Sequence, residues 1–379
     1  MKKIEIVLND KLNIKELKKL IGFVSEDILI YQIRGKVLSI EVHDDADCIE
    51  IEKTIVSLAN NYVSNAYIEE EKYRNEVKIP SFFCDFKSIH YFDEGMISLS
   101  AQSKFLYSYF DRVIDKFIER GFHTEECRVI TKVYPVLLPM KVYKKTGYLK
   151  RTPQYAFFCC SLCENLSVLN KIDKMNENEY RDIINNPQYA LSPSACFHVY
   201  EELKGKTLDK NTIVTFTQSV FRNEGRFNFA EFGRMRDYHV REIVFIGNSE
   251  FVNKSRNKVI DFTKKLVEDL GLNAKIITAS DPFILPRMQK LKKMQIKESS
   301  KYELRMAYTE EEDMSVASFN IHGTAFTYPF DIKIKNLEET VTGCVGYGLE
   351  RLVLAFLSQY GENVSNWPED LQKEYEKIL

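Results

Sequence analysis

The sequence has no long apolar run and no excess of charge of either sign. No window approaches the roughly 18 consecutive apolar residues of a membrane-spanning helix. The N-terminal MKKIEIVLND alternates as a strand does and does not resemble a signal peptide. The formal net charge of the 379 residues is −2 and the pI is about 6.4. We therefore expect a cytoplasmic protein with no membrane partner and without the strongly basic surface typical of nucleic-acid binders.

Cysteine is also sparse. Eight cysteines in 379 residues are too few for a disulfide scaffold and fit a reducing compartment. Six are interpreted as packing or bystander thiols: Cys48, Cys84, Cys127, Cys159, Cys160 and Cys163. The CCSLC run at 159–163 has no second pair at matching spacing, so it does not indicate a metal site. Cys196 and Cys344 lie in more informative segments.

The composition of 44% apolar residues is sufficient for a full core. Residues 1–78 have the pattern of a small βαββα domain, whose role the sequence does not indicate. Residues 1–75 carry 11 Lys/Arg against 14 Asp/Glu, so this unit is mildly acidic. The segment EEEKYRNEVKIP is typical of a charged linker that ends at Pro80.

Residues 79–379 combine strand patterns at hairpin-like spacing with inserted helices. Strands are predicted in YAFFCCSL, IVTFTQSVFRNE, REIVFIG and ASFNIHGTAFTYPFDIKI, and RVITKVYPVLLPMKVYKKTGYL is strand-like with two prolines. Helices are predicted in EFVNKSRNKVIDFTKKLVEDLGL and after Gly348. This order indicates an α+β fold with a largely antiparallel sheet flanked by helices.

The segment 220–247 predicts an anion-binding surface. Two strands are joined by a loop with Gly and Asn, Arg222 and Glu224 lie two residues apart, and Arg234 and Glu242 are placed on the returning strand. Arginines beside a carboxylate can hold an anion and accept a hydrogen bond. An exposed salt-bridge face is the alternative for this segment alone.

A second segment, TGCVGYGLERLVLAF, combines Cys344, two glycines and an arginine. Gly346 and Gly348 permit a close approach of the backbone to a ligand or a neighbouring strand. The helix that follows favours negative charge at its N-terminus, and Arg351 lies on its first turn.

Together, the FRNE segment and TGCVGYGLER resemble motifs 2 and 3 of the class II aminoacyl-tRNA synthetases, and VYPVLLP resembles motif 1 of their dimer interface. LSPSACFHVYEEL, REIVFIG, ASDPF, SFNIHGTAF and TGCVGYGLER are similar to the zinc-dependent seryl-tRNA synthetase branch, and especially to the shortened amino acid:[carrier protein] ligases. The resemblance covers roughly residues 85–365. It implies a class II fold, a homodimer, and ATP and Mg²⁺ as cofactors.

The resemblance also implies roles for individual residues in ATP binding. Arg222 would hold the α-phosphate and Glu224 would read the adenine amino group. Arg234 and Arg351 would clamp the terminal phosphates, Tyr238 would stack on adenine, and Gly348 would let ATP approach. Adenylation builds charge on phosphorus, so preorganised arginines are the groups that this chemistry needs.

For the metal, the resemblance implies that Cys196, Glu242 and Cys344 bind Zn²⁺. Two thiolates and one carboxylate leave the fourth tetrahedral position open, as in catalytic zinc sites. That position would take the neutral α-amine of the amino acid. Buried thiols are the alternative if the two cysteines are considered alone.

Other residues carry weaker signals. Asn320 and His322 match the family's Asn-x-His near the substrate, although a histidine on a strand can also be structural. Asp281 is similar to the family's Asp-Pro-Phe, but ILP replaces the glycine that usually follows. The acidic Mg²⁺ ligand cannot be placed, and EEED at 310–313 is interpreted as a solvated loop.

The favoured function is ATP-dependent activation of a small amino acid and its transfer to the phosphopantetheine thiol of an acyl or peptidyl carrier protein. An atypical seryl-tRNA synthetase and a non-catalytic synthetase paralogue remain alternatives. The mildly acidic N-terminal unit disfavours tRNA, because a tRNA-binding appendage contacts many phosphates. Carrier proteins are acidic, so the basic segments 141–151 and 285–297 are candidate docking surfaces, with solvated faces as the alternative.

Overall fold

A computed structural model describes residues 1–9, 12, 14–61 and 70–377. The N-terminal elements are β1 (Lys2–Val7), α1 (Ile14–Ile21), β2 (Ile28–Arg34), β3 (Val37–Val42) and α2 (Cys48–Asn61). The three strands form an antiparallel sheet in the order β1-β3-β2. Alternate residues of β1 and β3 point inward and pack against the apolar stripe of α1, which gives this unit its own core. The helical pattern predicted beyond residue 61 lies outside the described residues.

The rest of the chain contains fifteen strands and ten helices in the range 70–377. In chain order they are β4 (Glu71–Asn75), β5 (Ile89–Asp93), β6 (Met96–Leu99), α3 (Ala101–Phe122), β7 (Cys127–Thr131), β8 (Leu137–Pro139), α4 (Met140–Lys145), α5 (Tyr148–Arg151), β9 (Phe157–Cys159), α6 (Leu166–Leu169), β10 (Tyr189–Leu191), α7 (Phe197–Glu202), β11 (Thr207–Leu208), β12 (Asn211–Phe221), β13 (Asp237–Gly247), α8 (Ser249–Asp269), β14 (Ala274–Thr278), α9 (Gln289–Lys297), β15 (Lys301–Ala307), β16 (Asp313–Gly323), α10 (Thr327–Phe330), β17 (Lys333–Ile334), β18 (Val341–Gly348), α11 (Leu349–Tyr360) and α12 (Glu369–Glu376).

The central element is an eight-stranded sheet in the order β4-β14-β15-β16-β18-β13-β12-β7. Every neighbouring pair is antiparallel except β12 and β7, which run parallel. Helices α3, α8 and α11 pack against it, and α11 is buried over almost its whole length, as its run of apolar residues predicts. The prediction of an α+β fold with a largely antiparallel sheet flanked by helices is confirmed. No helix among the described residues is both long enough and apolar enough to cross a membrane.

The segment predicted to be a charged linker contains a strand. β4 pairs antiparallel with β14 at the edge of the large sheet, and the hydroxyl of Tyr73 donates to Glu268 on α8 at 2.9 Å. An edge strand exposes much of its surface, so its charged residues do not prevent pairing, and their abundance hid the strand. A domain boundary at residue 78 stays a prediction, and the large sheet takes one strand from before it.

Two further expectations are corrected. The strand-like run after β8 becomes helical, because α4 begins directly after Pro139 and buries Val142 and Tyr143. β12 ends at Phe221 and β13 begins at Asp237, so of the four motif residues only Glu242 lies on a strand. The chain turns away between the strands through Gly225, whose φ is +87°.

Candidate active site and metal centre

Three predicted metal ligands meet in the interior. Cys196 directly precedes α7, Glu242 lies on β13 and Cys344 lies on β18. Their ligand atoms all lie within 4.8 Å of one another, and all three residues are buried. In the antiparallel register Cys344 pairs with Val244, and Gly346 pairs with Glu242. Glu242 and Cys344 are therefore diagonal neighbours on adjacent strands, offset by two residues.

The chemistry of this donor set fits a cation. Burial raises the pKa of Glu242 to about 7, although the Cys344 thiol and Arg222 oppose that rise. The contact with Cys196, together with burial, holds the pKa of the Cys344 thiol far above its usual range. Three acidic groups this close in a dry pocket are costly to ionise together unless a cation offsets their charge. Two sulfurs and one carboxylate are a ligand set that Zn²⁺ accepts, with a fourth position open.

Residues around the cluster orient its thiols. The Asn320 amide lies 3.6 Å from the Cys344 sulfur, and His322 Nε2 lies 3.6 Å from the same sulfur. The Tyr200 hydroxyl lies 3.3 Å from His322 Nδ1, and the Ser194 hydroxyl lies 3.3 Å from the Cys196 sulfur. Burial lowers the pKa of His322 to about 4, so its ring is neutral at physiological pH. The predicted Asn320 and His322 therefore lie beside the cluster, whereas no sequence signal pointed to Ser194 or Tyr200.

Asp281 belongs to a separate, half-buried network. Lys301 donates to its carboxylate at 3.0 Å, and the Gln295 amide donates to it at 2.9 Å. Burial opposes ionisation, but Lys301 and these hydrogen bonds hold the pKa of Asp281 below its usual value. Lys301 also pairs with Glu303 at 3.3 Å. The sequence analysis did not identify Lys301, because nothing in its neighbouring letters shows that strand β15 places it opposite Asp281.

Arg222 contacts two aromatic rings, and it is close enough to Glu242 for its charge to act on that carboxylate. The centre of its guanidinium is 5.3 Å from the ring centroid of Tyr155 and 5.8 Å from that of Tyr238. Its Nε donates to the carbonyl of Pro193 at 3.0 Å, which fixes the side chain. Aromatic faces can hold a guanidinium while its remaining N–H groups stay available to an anion.

Glu224 is the centre of an arginine cluster. Arg234 Nη1 contacts one of its carboxylate oxygens at 2.5 Å, and Arg351 Nη2 lies 3.8 Å from the other. These arginines and Arg222 keep the pKa of Glu224 below its usual value even though burial would raise it. Arg351 also lies over the Tyr238 ring at 4.9 Å. The predicted adenine-binding carboxylate and the two predicted phosphate-binding arginines are thus in contact in this structure.

Arg351 carries the clearest sign of a missing partner. Its Nε and Nη2 atoms are buried, and neither makes a hydrogen bond within the described part of the chain. Buried N–H groups in proteins are almost always paired, and an unpaired one needs a specific reason. An anionic ligand that accepts from these two Arg351 atoms would supply that partner.

The two glycines of the Gly-x-Gly have different tasks. A Cβ on residue 346 would lie 2.8 Å from the Glu242 carboxylate, whereas one on residue 348 would lie 3.3 Å from the Tyr238 ring. Gly346 therefore leaves room for the metal-cluster carboxylate. Gly348 leaves room for the aromatic ring predicted to stack on adenine.

Two features lie outside this arrangement. A cavity of about 430 Å³ opens beside Arg234, between the β5–β6 hairpin and residues 229–235, and does not reach the cysteine cluster. In the EEED segment, Glu312 accepts from Tyr308 at 2.8 Å and Asp313 pairs with Lys275 at 2.8 Å. These contacts give Glu312 and Asp313 structural partners, and they identify no Mg²⁺ ligand.

The sequence of residues 180–360 matches the class II core domain of the tRNA synthetases for G, H, P, S and T. These residues are thus similar to the class II aminoacyl-tRNA synthetase core domain, and the predicted resemblance is confirmed at this level. The cluster, the arginines and the antiparallel sheet described above lie largely within this matched region.

Curated relatives fall into two activities. The chain is 30% identical over 284 residues to a type-2 serine–tRNA ligase of Methanococcus maripaludis, covering 70% of this chain and 53% of the relative. It is 28% identical over 282 residues to that of Methanocaldococcus jannaschii, with the same coverage. It is 28% identical over 241 residues to amino acid–[acyl-carrier-protein] ligase 1 of Bradyrhizobium diazoefficiens, covering 62% of this chain and 73% of the relative. The chain spans about half the length of the serine–tRNA ligases.

Solved structures agree on the fold. The structure of Methanopyrus kandleri SerRS with A. aeolicus tRNASec superposes with a TM-score of 0.71 at 19% identity, covering all of this chain and 78% of that chain. The cytoplasmic serine–tRNA ligase of Naegleria fowleri with AMP gives a TM-score of 0.60 at 10% identity, covering 86% of this chain and 70% of that chain. At these identities the likeness concerns the fold alone.

Proposed function

We propose that this protein activates a small amino acid with ATP and transfers it to the phosphopantetheine thiol of a carrier protein. The observation that carries the proposal is the adjacency of two half-sites, because the charge of Arg222 acts on both Glu242 and Glu224. One half-site is the donor set for Zn²⁺, formed by Cys196, Glu242 and Cys344. The other is the group of arginines around Glu224, and Arg222 lies close to both Glu242 and Glu224. One half-site suits an amine and the other suits a nucleotide.

The first reaction joins the two half-sites. The amino-acid carboxylate attacks the α-phosphorus of ATP, the bond from that phosphorus to the oxygen bridging to the β-phosphate breaks, and pyrophosphate leaves. Arg222 would neutralise the charge that develops on the α-phosphate, and Arg351 and Arg234 would hold the terminal phosphates. A bound Zn²⁺ would supply a Lewis-acid position for the neutral α-amine. For these contacts to form, Glu224 must exchange its arginine partners for the adenine amino group.

In the second reaction the phosphopantetheine thiol, as thiolate, attacks the carbonyl carbon of the adenylate. A thioester forms and AMP leaves. A docking surface for the acidic carrier is offered by two basic segments that adjoin in space, because Arg287 donates to the carbonyl of Lys150 at 3.1 Å. We propose that segments 141–151 and 285–297, which meet at this contact, form one basic surface, in which Lys292 is partly engaged by Glu16.

A type-2 seryl-tRNA synthetase is the second candidate. It is favoured by the identity of about 30% to serine–tRNA ligases and by a structural neighbour that holds a tRNA. The absence of tRNA as a substrate therefore stays a prediction that rests on the acidic N-terminal unit. A non-catalytic paralogue is disfavoured, since the three metal-site residues and all three arginines are present together.

We also propose a homodimer in the cytoplasm. Exposed apolar side chains cluster around the segment that resembles motif 1, and Val133 is 92% exposed. The β8-β10-β9 sheet, which begins just after this segment enters β8, has three exposed apolar residues: Leu137, Phe158 and Tyr189. Contiguous apolar surface of this kind marks an interface more often than a free surface.

The decisive experiment compares acceptors after the amino acid has been identified. Pyrophosphate exchange into ATP is screened with zinc-replete protein and a complete amino-acid set, starting with glycine, alanine and serine. Holo carrier protein and bulk tRNA are then offered side by side with the amino acid that supports exchange. We expect charging of the holo carrier and none of the apo carrier, which lacks the thiol.

The other outcomes separate the alternatives. Charging of tRNA at a comparable rate would replace the carrier proposal with the serine–tRNA ligase. If no amino acid in the set supports pyrophosphate exchange, only the non-catalytic paralogue remains.

A further inference from the structure

The N-terminal unit, residues 1–61, contacts the loop that follows Arg222. We call residues 223–230 the nucleotide loop, because it contains Glu224. Arg226 Nη2 donates to the carbonyls of Ser25 at 2.9 Å and Ile28 at 2.6 Å. Such charge-assisted bonds from a single guanidinium fix the loop to the end of α1 and the start of β2.

The nucleotide loop also supplies an apolar side chain to the N-terminal core. Phe227 packs with the buried residues of the N-terminal unit, and its ring meets that of Tyr31 edge-on, 5.3 Å between centroids. Gly22 makes room for this ring, because a Cβ there would stand 3.3 Å from it. The loop is therefore inserted into the N-terminal unit and does more than lie against it.

The backbone of Glu224 is held through these contacts. The amide of Asn228 donates to the carbonyl of Lys19 at 3.1 Å and to the carbonyl of Glu224 at 2.6 Å. Gly225, the next residue, is in a left-handed conformation, and the Phe23 ring lies 2.7 Å from where its Cβ would be. The N-terminal unit thus contacts Gly225, which follows Glu224, and Asn228, which holds the Glu224 carbonyl.

A separate ion pair supports the docking. Lys292 on α9 lies 3.0 Å from Glu16 on α1, so the N-terminal unit bridges the nucleotide loop and the basic surface. Glu16 is also paired with Lys19 at 2.8 Å. Two contact regions restrict rotation of the unit more strongly than one region would.

We infer that the N-terminal unit is a clamp in cis that positions Glu224 for nucleotide binding, and that docking of the unit and binding of ATP are coupled. The inference rests on the proposed role of Glu224 in adenine recognition. If docking orders the nucleotide loop for ATP, then ATP must strengthen docking by the same factor, because coupling between two binding equilibria is reciprocal. Arg226, Phe227 and Asn228 are positioning residues, since none of them is placed against the nucleotide.

The test uses the full chain and two measurements, ATP affinity by calorimetry and hydrogen exchange of residues 16–28 with and without ATP. In Arg226→Ala we expect ATP binding weaker by about fivefold or more, with the KM for the amino acid unchanged. In the unaltered protein, ATP should slow exchange of residues 16–28, and this slowing should be much smaller in Arg226→Ala. Arg34→Ala removes an exposed arginine of the same unit and should behave like the unaltered protein.

Phe227→Ala is the second variant, with circular dichroism to show that the fold is kept. ATP affinity at the unaltered level in both variants, or exchange of residues 16–28 that does not respond to ATP, would overturn the clamp. Failure of the proposed function has a different signature: no amino acid supports pyrophosphate exchange, while ATP binding still depends on Arg226.

Discussion

Gly346 lies directly opposite Glu242 on neighbouring strands, and a Cβ at residue 346 would stand 2.8 Å from the Glu242 carboxylate. The carboxylate therefore occupies space beside the two cysteine sulfurs that is free because its partner in the register has no side chain. A methyl group at this position of β18 would force the carboxylate to shift.

Gly346→Ala should consequently damage the metal centre more than the nucleotide site. The added methyl group displaces the Glu242 carboxylate, so we expect the zinc content per chain to fall. The KM for the amino acid should rise at least about tenfold, as for other lost metal-site contacts. ATP affinity should stay within about twofold, because the arginines that surround Glu224 are untouched. Elemental analysis and calorimetry measure the two effects.

Gly348→Ala is the matched control for this experiment. Its Cβ would meet the Tyr238 ring at 3.3 Å, away from the cluster, so ATP affinity should fall while the zinc content is kept. The same loss of zinc in both variants would show that the two glycines do not serve separate half-sites.

Cys344→Ser tests the metal more directly. The purified protein should carry about one zinc per chain, with three protein ligands, and this stoichiometry should drop in the variant while the fold is kept. The apolar core around the sheet does not depend on the metal, so the melting temperature should change little. Cys160→Ser, at an exposed cysteine outside the cluster, should retain its zinc. Full zinc content in Cys344→Ser, or normal adenylation by it, would return Cys344 to a packing role.

Replacement of the two half-buried arginines should abolish activation. Arg222→Ala and Arg351→Ala each remove a cation aimed at the phosphates, and we expect pyrophosphate exchange to fall about a hundredfold or more. For Arg351, the buried Nε and Nη2 atoms that make no hydrogen bond among the described residues predict a direct contact with the nucleotide. Arg128→Ala, at an exposed position on β7, serves as the control. Exchange near the normal rate in either active-site variant would mean that ATP binds elsewhere.

The contact between His239 and Glu350 predicts a pH-dependent stability. His239 Nδ1 lies 2.6 Å from the Glu350 carboxylate, which joins β13 to α11 and raises the pKa of His239 above its usual value. Asp237 on the same strand raises the pKa of His239 further, whereas Lys104 on α3 lowers it. Tyr107, also on α3, packs edge-on against the His239 ring. The protonated ring binds the carboxylate, so its contribution is complete below the pKa of an unfolded histidine, about 6.5. That contribution is lost as the pH rises through the higher folded pKa.

His239→Gln should therefore lower the melting temperature more at pH 6 than at pH 9, by roughly 1 to 3 °C. Thermal unfolding at the two pH values measures the difference, with His123→Gln as an exposed control. An equal shift at both pH values would assign the effect to packing against Tyr107 and not to the charge of His239.

The strand and helix patterns were sufficient to predict the fold class, and the resemblance to class II synthetases implied the candidate residues of both half-sites, whose roles stay predictions. The strand pattern around Glu242 places this residue on β13, and the glycines of the Gly-x-Gly mark a close approach. These are local properties, and the local sequence determines them because periodicity and backbone freedom act over a few residues.

Contacts between distant segments required the tertiary structure. The sequence predicted a linker where β4 pairs with β14, because the pairing partner lies about two hundred positions away. It did not show that Arg234 and Arg351 both contact Glu224. Glu224 and Arg234 lie in the connection between β12 and β13, and Arg351 on α11 reaches them only after the sheet has formed. Nor did it show Phe227 within the N-terminal core, because an aromatic residue in a loop has the same pattern whichever core it enters. Residue types and motifs in the sequence indicated which side chains are candidates for the chemistry, and register and packing decided which of them meet.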